Sequence, residues 1–326
     1  MHLEYFFDYF YFVFDFSRYC FLLGGTLTAM SYHYHAFGLS IESDFPIQEF
    51  LESPLKQADL SIQQSDTLSG PSSSYYIEGA PNQLLLQIPE VACFLIEKGH
   101  SITYTLAPNA SMDTFRLFLL GSAMGALLQQ RGYIVLHGNA ISTDGKSCKI
   151  FVGKQGAGKS TTAAWHYLQG AKILADDVCA VGFTADGHPY VLPSYPQLKL
   201  WQTSADLLNI NTQHLRQIRE QCAKFALPIL DRFFNQALPI SHIIEIDKDH
   251  LGTKKLLGAE KLMLLKNHSY RYHFVCCMGG MAHYAKSLMQ LASKVQILSK
   301  ERIQIQSSPK FLSNSTTAAS VYSSAS

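Results

Sequence analysis

Residues 153–160 read Gly-Lys-Gln-Gly-Ala-Gly-Lys-Ser and follow directly on the apolar run Lys149-Ile150-Phe151-Val152. This pattern constrains the chain more than any other, because it demands a strand, a glycine loop and a helix in immediate succession. Gly153, Gly156 and Gly158 permit backbone angles closed to other residues, so successive N–H groups can turn inward around phosphate oxygens. Lys154, Gln155 and Ala157 fill the same loop. Lys159 then reaches β- and γ-phosphates, the Ser160 hydroxyl is placed to ligate Mg2+, and Thr161 opens a helix whose positive end faces the anion. That helix is expected over 161–169, ended by Gly170. Without that context the same letters describe only a glycine-rich turn; the strand before the loop and the helix after it favour nucleotide binding.

Two further groups could act on a γ-phosphate. Asp176-Asp177 closes the apolar run Ile173-Leu174-Ala175, one strand downstream of the loop. Strand neighbours face opposite ways, so one carboxylate is expected to face a metal or its waters and the other an incoming hydroxyl. His137, in Val135-Leu136-His137-Gly138-Asn139, closes a strand that precedes the loop. Taken singly, an Asp pair is as readily a solvated strand end, and a lone His a satisfied buried imidazole.

In combination, His137-Gly138, then residues 153–160, then Ile173-Leu174-Ala175-Asp176-Asp177-Val178 resemble the catalytic domain of the HPr kinase/phosphorylase family, in order and spacing. The resemblance implies an α/β fold: a P-loop-containing, HPr-kinase-like catalytic domain behind a small β-rich N-terminal domain. It implies an ATP- and Mg2+-dependent serine kinase in which Asp177 deprotonates the substrate serine. His137 and Lys159 stabilise the transferring phosphoryl group, and Ser160 holds Mg2+. Such catalysis is mostly positioning and electrostatics. The likeness covers about residues 131–205. Bifunctional members carry a Glu-containing segment beyond the Asp pair, but here Leu192 to Trp201 holds no carboxylate. The sequence therefore leaves phosphorylase activity undecided, and Asp176 is left to carry the metal alone. Ser194-Tyr195-Pro196-Gln197-Leu198-Lys199-Leu200-Trp201 and the opening Tyr32 to Asp44 are more similar to HPr-kinase-like proteins that accompany ribosomally made peptides. These include the lasso-peptide kinases that phosphorylate a precursor's C-terminal serine. The implied partner is a peptide or protein with an acceptor serine; a phosphocarrier protein is the alternative acceptor.

Three other functions compete. Phosphoenolpyruvate-carboxykinase-like chemistry needs a carboxylate-binding Arg and a further metal cluster that the sequence does not display. A regulatory module would bind ATP without transfer, and a hydrolysing ATPase would turn it over without an acceptor.

Organisation follows from composition. With 326 residues, 47% hydrophobic and 16% charged, the chain can bury a sizeable core, and two domains are expected. A net charge of +1 with no basic run argues against a nucleic-acid surface. Short apolar runs at 84–88, 91–96 and 102–106 predict a β-rich domain over 30–110, with a Ser-rich loop at 63–74. The catalytic domain is expected over 111–306. It opens on a helix at 112–130, N-capped by Ser111, that docks the two domains. Helices are also expected at 205–211, 214–225, 257–267 and 281–294, and a strand at 240–246. Lys199, Lys224, Arg232 and Arg271 are candidate substrate or phosphate contacts, though a Lys or Arg that no motif places is usually solvated surface. The seven cysteines include no C-x-x-C pair and read as reduced core residues of a cytoplasmic protein.

Residues 1–29 are aromatic, but Asp8, Asp15 and Arg18 interrupt the apolar stretch, so no stable membrane anchor is expected. They are expected to be upstream sequence, with Met30 the start; expression from Met30 with lost folding would refute this. The tail 307–326, with eight serines, is expected to be disordered. A homo-oligomer is compatible with this composition.

Overall fold

The computed structural model describes residues 31–54, 57–70, 73–220, 222–247 and 252–301. The expectations for 1–29 and 307–326 lie outside these described residues.

The first part is one eight-stranded sheet. Its strands are β1 (Tyr32–Ala36), β2 (Leu39–Ser43), β3 (Leu51–Glu52), β4 (Leu60–Gln64), β5 (Tyr76–Ala80), β6 (Gln83–Ile88), β7 (Ala92–Glu97) and β8 (Ser101–Leu106). They lie in the order β3-β1-β2-β4-β8-β7-β6-β5. The strand β2 shows why: Leu39, Ile41 and Ser43 are buried while Ser40 and Glu42 are half-buried, the period-two pattern of a sheet with one face on a core. The β1–β2 connection is the two-residue turn Phe37-Gly38, with φ of 53° and 71°, the mirror-image turn that matches strand twist.

Two helices cover this sheet. Helix α1 (Met112–Phe118) starts at Ser111, whose hydroxyl accepts from Thr114 N–H, satisfying a donor the helix leaves open. A π-helical turn, Leu119–Ala123, joins it to α2 (Met124–Gln130). Phe115 of α1 is fully buried and stacks on Phe94 of β7 at 5.4 Å.

The second part contains β9 (Ile134–Ser142), β10 (Cys148–Val152), α3 (Lys159–Leu168), β11 (Lys172–Phe183), β12 (Pro189–Val191), β13 (Gln197–Trp201), α4 (Gln202–Leu207), β14 (Lys224–Pro228), β15 (Leu238–Asp247), β16 (Thr253–Lys255), α5 (Gly258–Asn267), α6 (Tyr272–Cys277), α7 (Met281–Lys294) and β17 (Gln296–Glu301). Its sheet runs β10-β9-β11-β12-β15-β17-β16, and β10 also pairs in parallel with β15. That extra pairing closes β9, β10, β11, β12 and β15 into a small barrel-like ring. Leu264, Leu265, Leu288 and Leu291 of α5 and α7 pack with Leu136, Ile150 and Val152. Ala163 and Ala164 of α3 pack with Phe151, Leu198 and Leu200. The architecture is mixed α/β, with several sheets and this small closed ring.

The two parts share a core. One cluster runs from Phe37, Phe94 and Phe115 through Leu127 to Val135, Val178, Tyr195 and Phe274. Glu49 adds an ionic tie, 2.6 Å from Arg216 and 3.4 Å from Arg116.

Four expectations change. The helix expected at 205–211 is α4, which starts three residues earlier at Gln202 and stops at Leu207, where the left-handed Asn209 (φ 54°) turns the chain. Among the described residues of 214–225 none is helical: Arg216 is drawn to Glu49 and Asp113, and Lys224–Pro228 pairs with β13, whose main-chain groups it satisfies. The nucleotide-loop helix starts two residues earlier than expected, at Lys159. The cysteines divide, with Cys93, Cys148 and Cys179 buried, Cys222 half-buried, and Cys276 and Cys277 exposed on α6. Among the described residues, no helix is long and apolar enough to cross a membrane.

Candidate active site

Residues 153–158 connect β10 to α3, with Gly153, Gly156 and Gly158 at φ of 155°, 74° and 107°. A Cβ at Gly153 would stand 2.7 Å from the Ile246 carbonyl oxygen, so this position tolerates no side chain without moving β15. Lys154, Gln155 and Gly156 are exposed, Ala157 is buried, and Ser160 is half-buried at the start of α3. Lys159 Nζ donates to the carbonyls of Gly153 (2.8 Å) and Lys154 (3.3 Å), and burial pulls its pKa down. Thr161 is buried, its hydroxyl 2.8 Å from that of Ser204 on α4.

The aspartates stand level with the root of this loop. Asp177 pairs across β9 with Gly138, Gly138 with Val152, and Val152 with Glu245 of β15. At ordinary strand spacing the Asp177 backbone is therefore about 10 Å from the last residue before the glycines. His137, adjacent in β9, brings Nδ1 to 3.0 Å from Asp177 Oδ1.

Both carboxylates converge on a single residue, Lys199 of β13. Asp176 accepts from the Lys199 backbone N–H at 2.6 Å and from the side-chain amide of Asn139. Asp177 Oδ2 accepts from Lys199 Nζ at 3.0 Å. The expectation that strand neighbours face apart fails here because Asp177 has a left-handed φ of 71°. Ala175 and Cys179, its alternate neighbours, sit in the core beneath α5 and α7, while its own side chain turns to His137 and Lys199. Non-glycine residues hold such angles only where the surroundings impose them, and Asp tolerates them better than most.

Electrostatics follow from this packing. Burial raises the Asp177 pKa, but the Lys199 ammonium and His137 outweigh it and hold the carboxyl well below its ordinary value. Burial lowers that of Lys199, and Asp177 more than restores it, to well above the usual lysine range. Asp176 has no such cation at its oxygens. Burial, then the neighbouring Asp177 charge, push it up to about 6. Asp177 is thus held ionised, while Asp176 gives up its proton less readily.

A cleft of about 540 Å³ opens beside these groups. His137, Asp177 and Gln155 form one side, Leu117, Phe118 and Ser122 of α1 and the π turn another, and Asn267, Ser269, Tyr270 and Arg271 the third. The last segment is fixed to β9 by His137 N–H to His268 O (2.8 Å) and Tyr270 N–H to Val135 O (2.7 Å). Gly121 and Gly125 leave room for the Tyr270 side chain: a Cβ would stand 2.9 Å from its hydroxyl at Gly121 and 2.9 Å from its ring at Gly125.

The structure brings Asp176, Asp177 and His137 together and adds Gln155 to their cleft. Asn139 and Tyr270 were not expected at the site, and Lys199 was a candidate contact for substrate or phosphate, not a partner of the aspartates. For Lys199 a signal was present: a single lysine between Leu198 and Leu200 in a strand buried on both faces. Among the described residues, no three His, Cys, Asp or Glu side chains cluster as a metal site.

No family model matches this chain, and no curated protein matches it. Among solved structures, the Hpr(Ser) kinase/phosphatase from Coxiella burnetii is similar at 13% identity and a TM-score of 0.27, over 39% of this chain and 79% of that one. A score that low decides neither fold nor function, which leaves the geometry of the site to carry the functional reading.

Proposed function

We propose that this chain is an ATP- and Mg2+-dependent kinase that transfers the γ-phosphoryl group to a serine hydroxyl of a peptide or protein. The observation that carries the reading is Asp177, an ionised carboxylate level with the root of the glycine loop, touching His137 and facing an open cleft. The glycine loop fits a nucleotide, since its glycines hold left-handed angles and Gly153 leaves no space for a side chain. Mg2+ bound with ATP neutralises phosphate charge and needs few protein ligands. The Ser160 hydroxyl fits that role; Asp176, with both oxygens already accepting hydrogen bonds, has only its remaining lone pairs to offer.

On this reading Asp177 takes the serine proton as the serine oxygen bonds phosphorus and ADP departs with the bridging oxygen's electrons. His137 holds the carboxylate in position, Lys199 keeps it ionised, and Lys159 exchanges the loop carbonyls for phosphate oxygens. The Tyr32 to Asp44 and Ser194 to Trp201 segments favour a peptide precursor with a terminal serine as the acceptor. One observation favours a non-catalytic nucleotide-binding module instead: each Asp177 oxygen already has a partner, His137 or Lys199.

Asp177→Asn separates the two. A kinase keeps its ATP affinity within about threefold and loses transfer by roughly 10²–10⁴. Transfer unchanged in the variant removes Asp177 as the base, and wild-type protein that binds ATP without phosphorylating any serine peptide is a binding module.

A further inference from the structure

The cleft has a second polar end that phosphoryl transfer does not use. Arg271 lines it, and among the described residues no carboxylate pairs with its guanidinium. The residue is held in place at a cost. Its φ of 48° is left-handed, a conformation imposed from both sides. Tyr270 before it is tied to Val135 O and, through its own carbonyl, to Gln129 Nε2 at 2.7 Å. Phe274 after it is fully buried, its N–H on the Arg271 carbonyl. The guanidinium lies over the Tyr270 ring, 5.9 Å from its centroid, and hydrogen-bonds the Tyr270 side chain, which fixes its orientation and leaves its other N–H groups for an acceptor.

Charge within the cleft is unbalanced in the same sense. Its carboxylate, Asp177, is already matched by Lys199, so Arg271 adds positive charge that nothing in the cleft offsets. A planar guanidinium backed by an aromatic ring, with N–H groups to spare beyond its bond to Tyr270, suits a two-oxygen anion.

We propose that Arg271 is a specificity-determining residue that binds an anionic group carried by the acceptor beside its hydroxyl. This rests on the kinase reading for the name acceptor, but the anion subsite stands on Arg271 and Tyr270 alone. Leu117 and Phe118 provide an apolar wall for whatever joins hydroxyl to anion. The anion is a carboxylate, from a chain terminus or acidic side chain, or a phosphate.

The test is binding to the full chain without nucleotide, followed by NMR shifts. The probes are N-acetylserine, N-acetylserinamide and 2-hydroxyethyl phosphate, which present a hydroxyl beside a carboxylate, a neutral amide and a phosphate. At least one anionic probe should bind about tenfold more tightly than the amide, the worth of one charge-assisted contact. Preference for N-acetylserine identifies a carboxylate acceptor, and preference for the phosphate a phosphorylated one. Arg271→Gln, which meets the same backbone cost, should erase the preference, and Arg271→Lys should keep part of it. Equal binding of all three, no binding of any, or a preference that survives Arg271→Gln overturns the proposal. A preserved preference in a protein that never transfers phosphate removes the kinase reading and leaves the subsite.

Discussion

Lys199 Nζ and Asp177 Oδ2 meet at 3.0 Å inside the protein, with 4% of the lysine side chain and 19% of the aspartate exposed. A buried pair of this kind gains little over an apolar pair of equal volume, but breaking it leaves one charge uncompensated. Lys199→Met should therefore destabilise the protein by about 3–5 kcal/mol. Lys199→Met combined with Asp177→Asn should recover part of that loss, because the stranded charge is gone. Urea unfolding of the four proteins of this cycle measures it; a loss in the double variant equal to the sum of the two single losses would show that the pair is not coupled.

Gly153 marks where the loop presses on the barrel. Alanine there must displace the Ile246 carbonyl, 2.7 Å from the added methyl, and adopt an angle L-residues avoid. Gly153→Ala should cost about 1–3 kcal/mol in stability and weaken ATP binding at least tenfold. Gly170→Ala is the control, since its Cβ meets nothing within 4 Å while its φ of 95° is equally left-handed. It should lose stability without losing nucleotide affinity, as read by melting and by ATP titration.

Much of this was legible in the chain, for physical reasons that also mark the limit. Strand, glycine loop and helix around residues 148–168 are local, and local spacing predicts them. Asp176 and Asp177 were found because two acids closing an apolar run are unusual. Their common orientation was not, because one left-handed φ at Asp177 overrides the alternation on which the expectation rested. Lys199 and Tyr270 reach the site from β13 and the α5–α6 connection, and no period encodes contacts that distant. For 214–225, apolar residues at helical spacing lost to the ion pairs of Arg216 and the pairing of β14 with β13.

Asp176 gives a pH signature of its own. Its folded pKa, about 6, lies above the ordinary 3.8, so between those values the folded protein binds more protons than the unfolded chain. Stability from this group is fully present below pH 3.8 and is lost as pH rises through about 6. Asp177, with its folded pKa depressed, works oppositely: its contribution is present above the ordinary carboxylate value and disappears only in strong acid. Asp176→Asn should therefore flatten the decline in unfolding free energy between about pH 4 and 6. Parallel denaturant curves from pH 4 to 8 measure the slope; a slope identical in wild type and variant would mean Asp176 is not the group titrating.

His268 and Glu245 join the cleft's third wall to the strand beside the glycine loop, Nε2 to Oε1 at 2.9 Å. His268 is nearly buried, and its carbonyl holds His137 N–H, so the pair fixes both the segment 267–271 and the strand that carries His137. His268→Ala removes one such bond and leaves Glu245 without its partner, worth about 1–3 kcal/mol. The loss should be local. Amide exchange should accelerate at His137 and Tyr270, whose N–H groups bond His268 O and Val135 O, while the amides of α3 stay protected. In a transferring enzyme the KM for acceptor should rise about tenfold with the KM for ATP unchanged, because the wall moves and the glycine loop does not. Glu245→Gln keeps an oxygen for His268 and should leave exchange at both amides near wild type. If it matches His268→Ala instead, the charge of Glu245, not the tether, is what the segment requires.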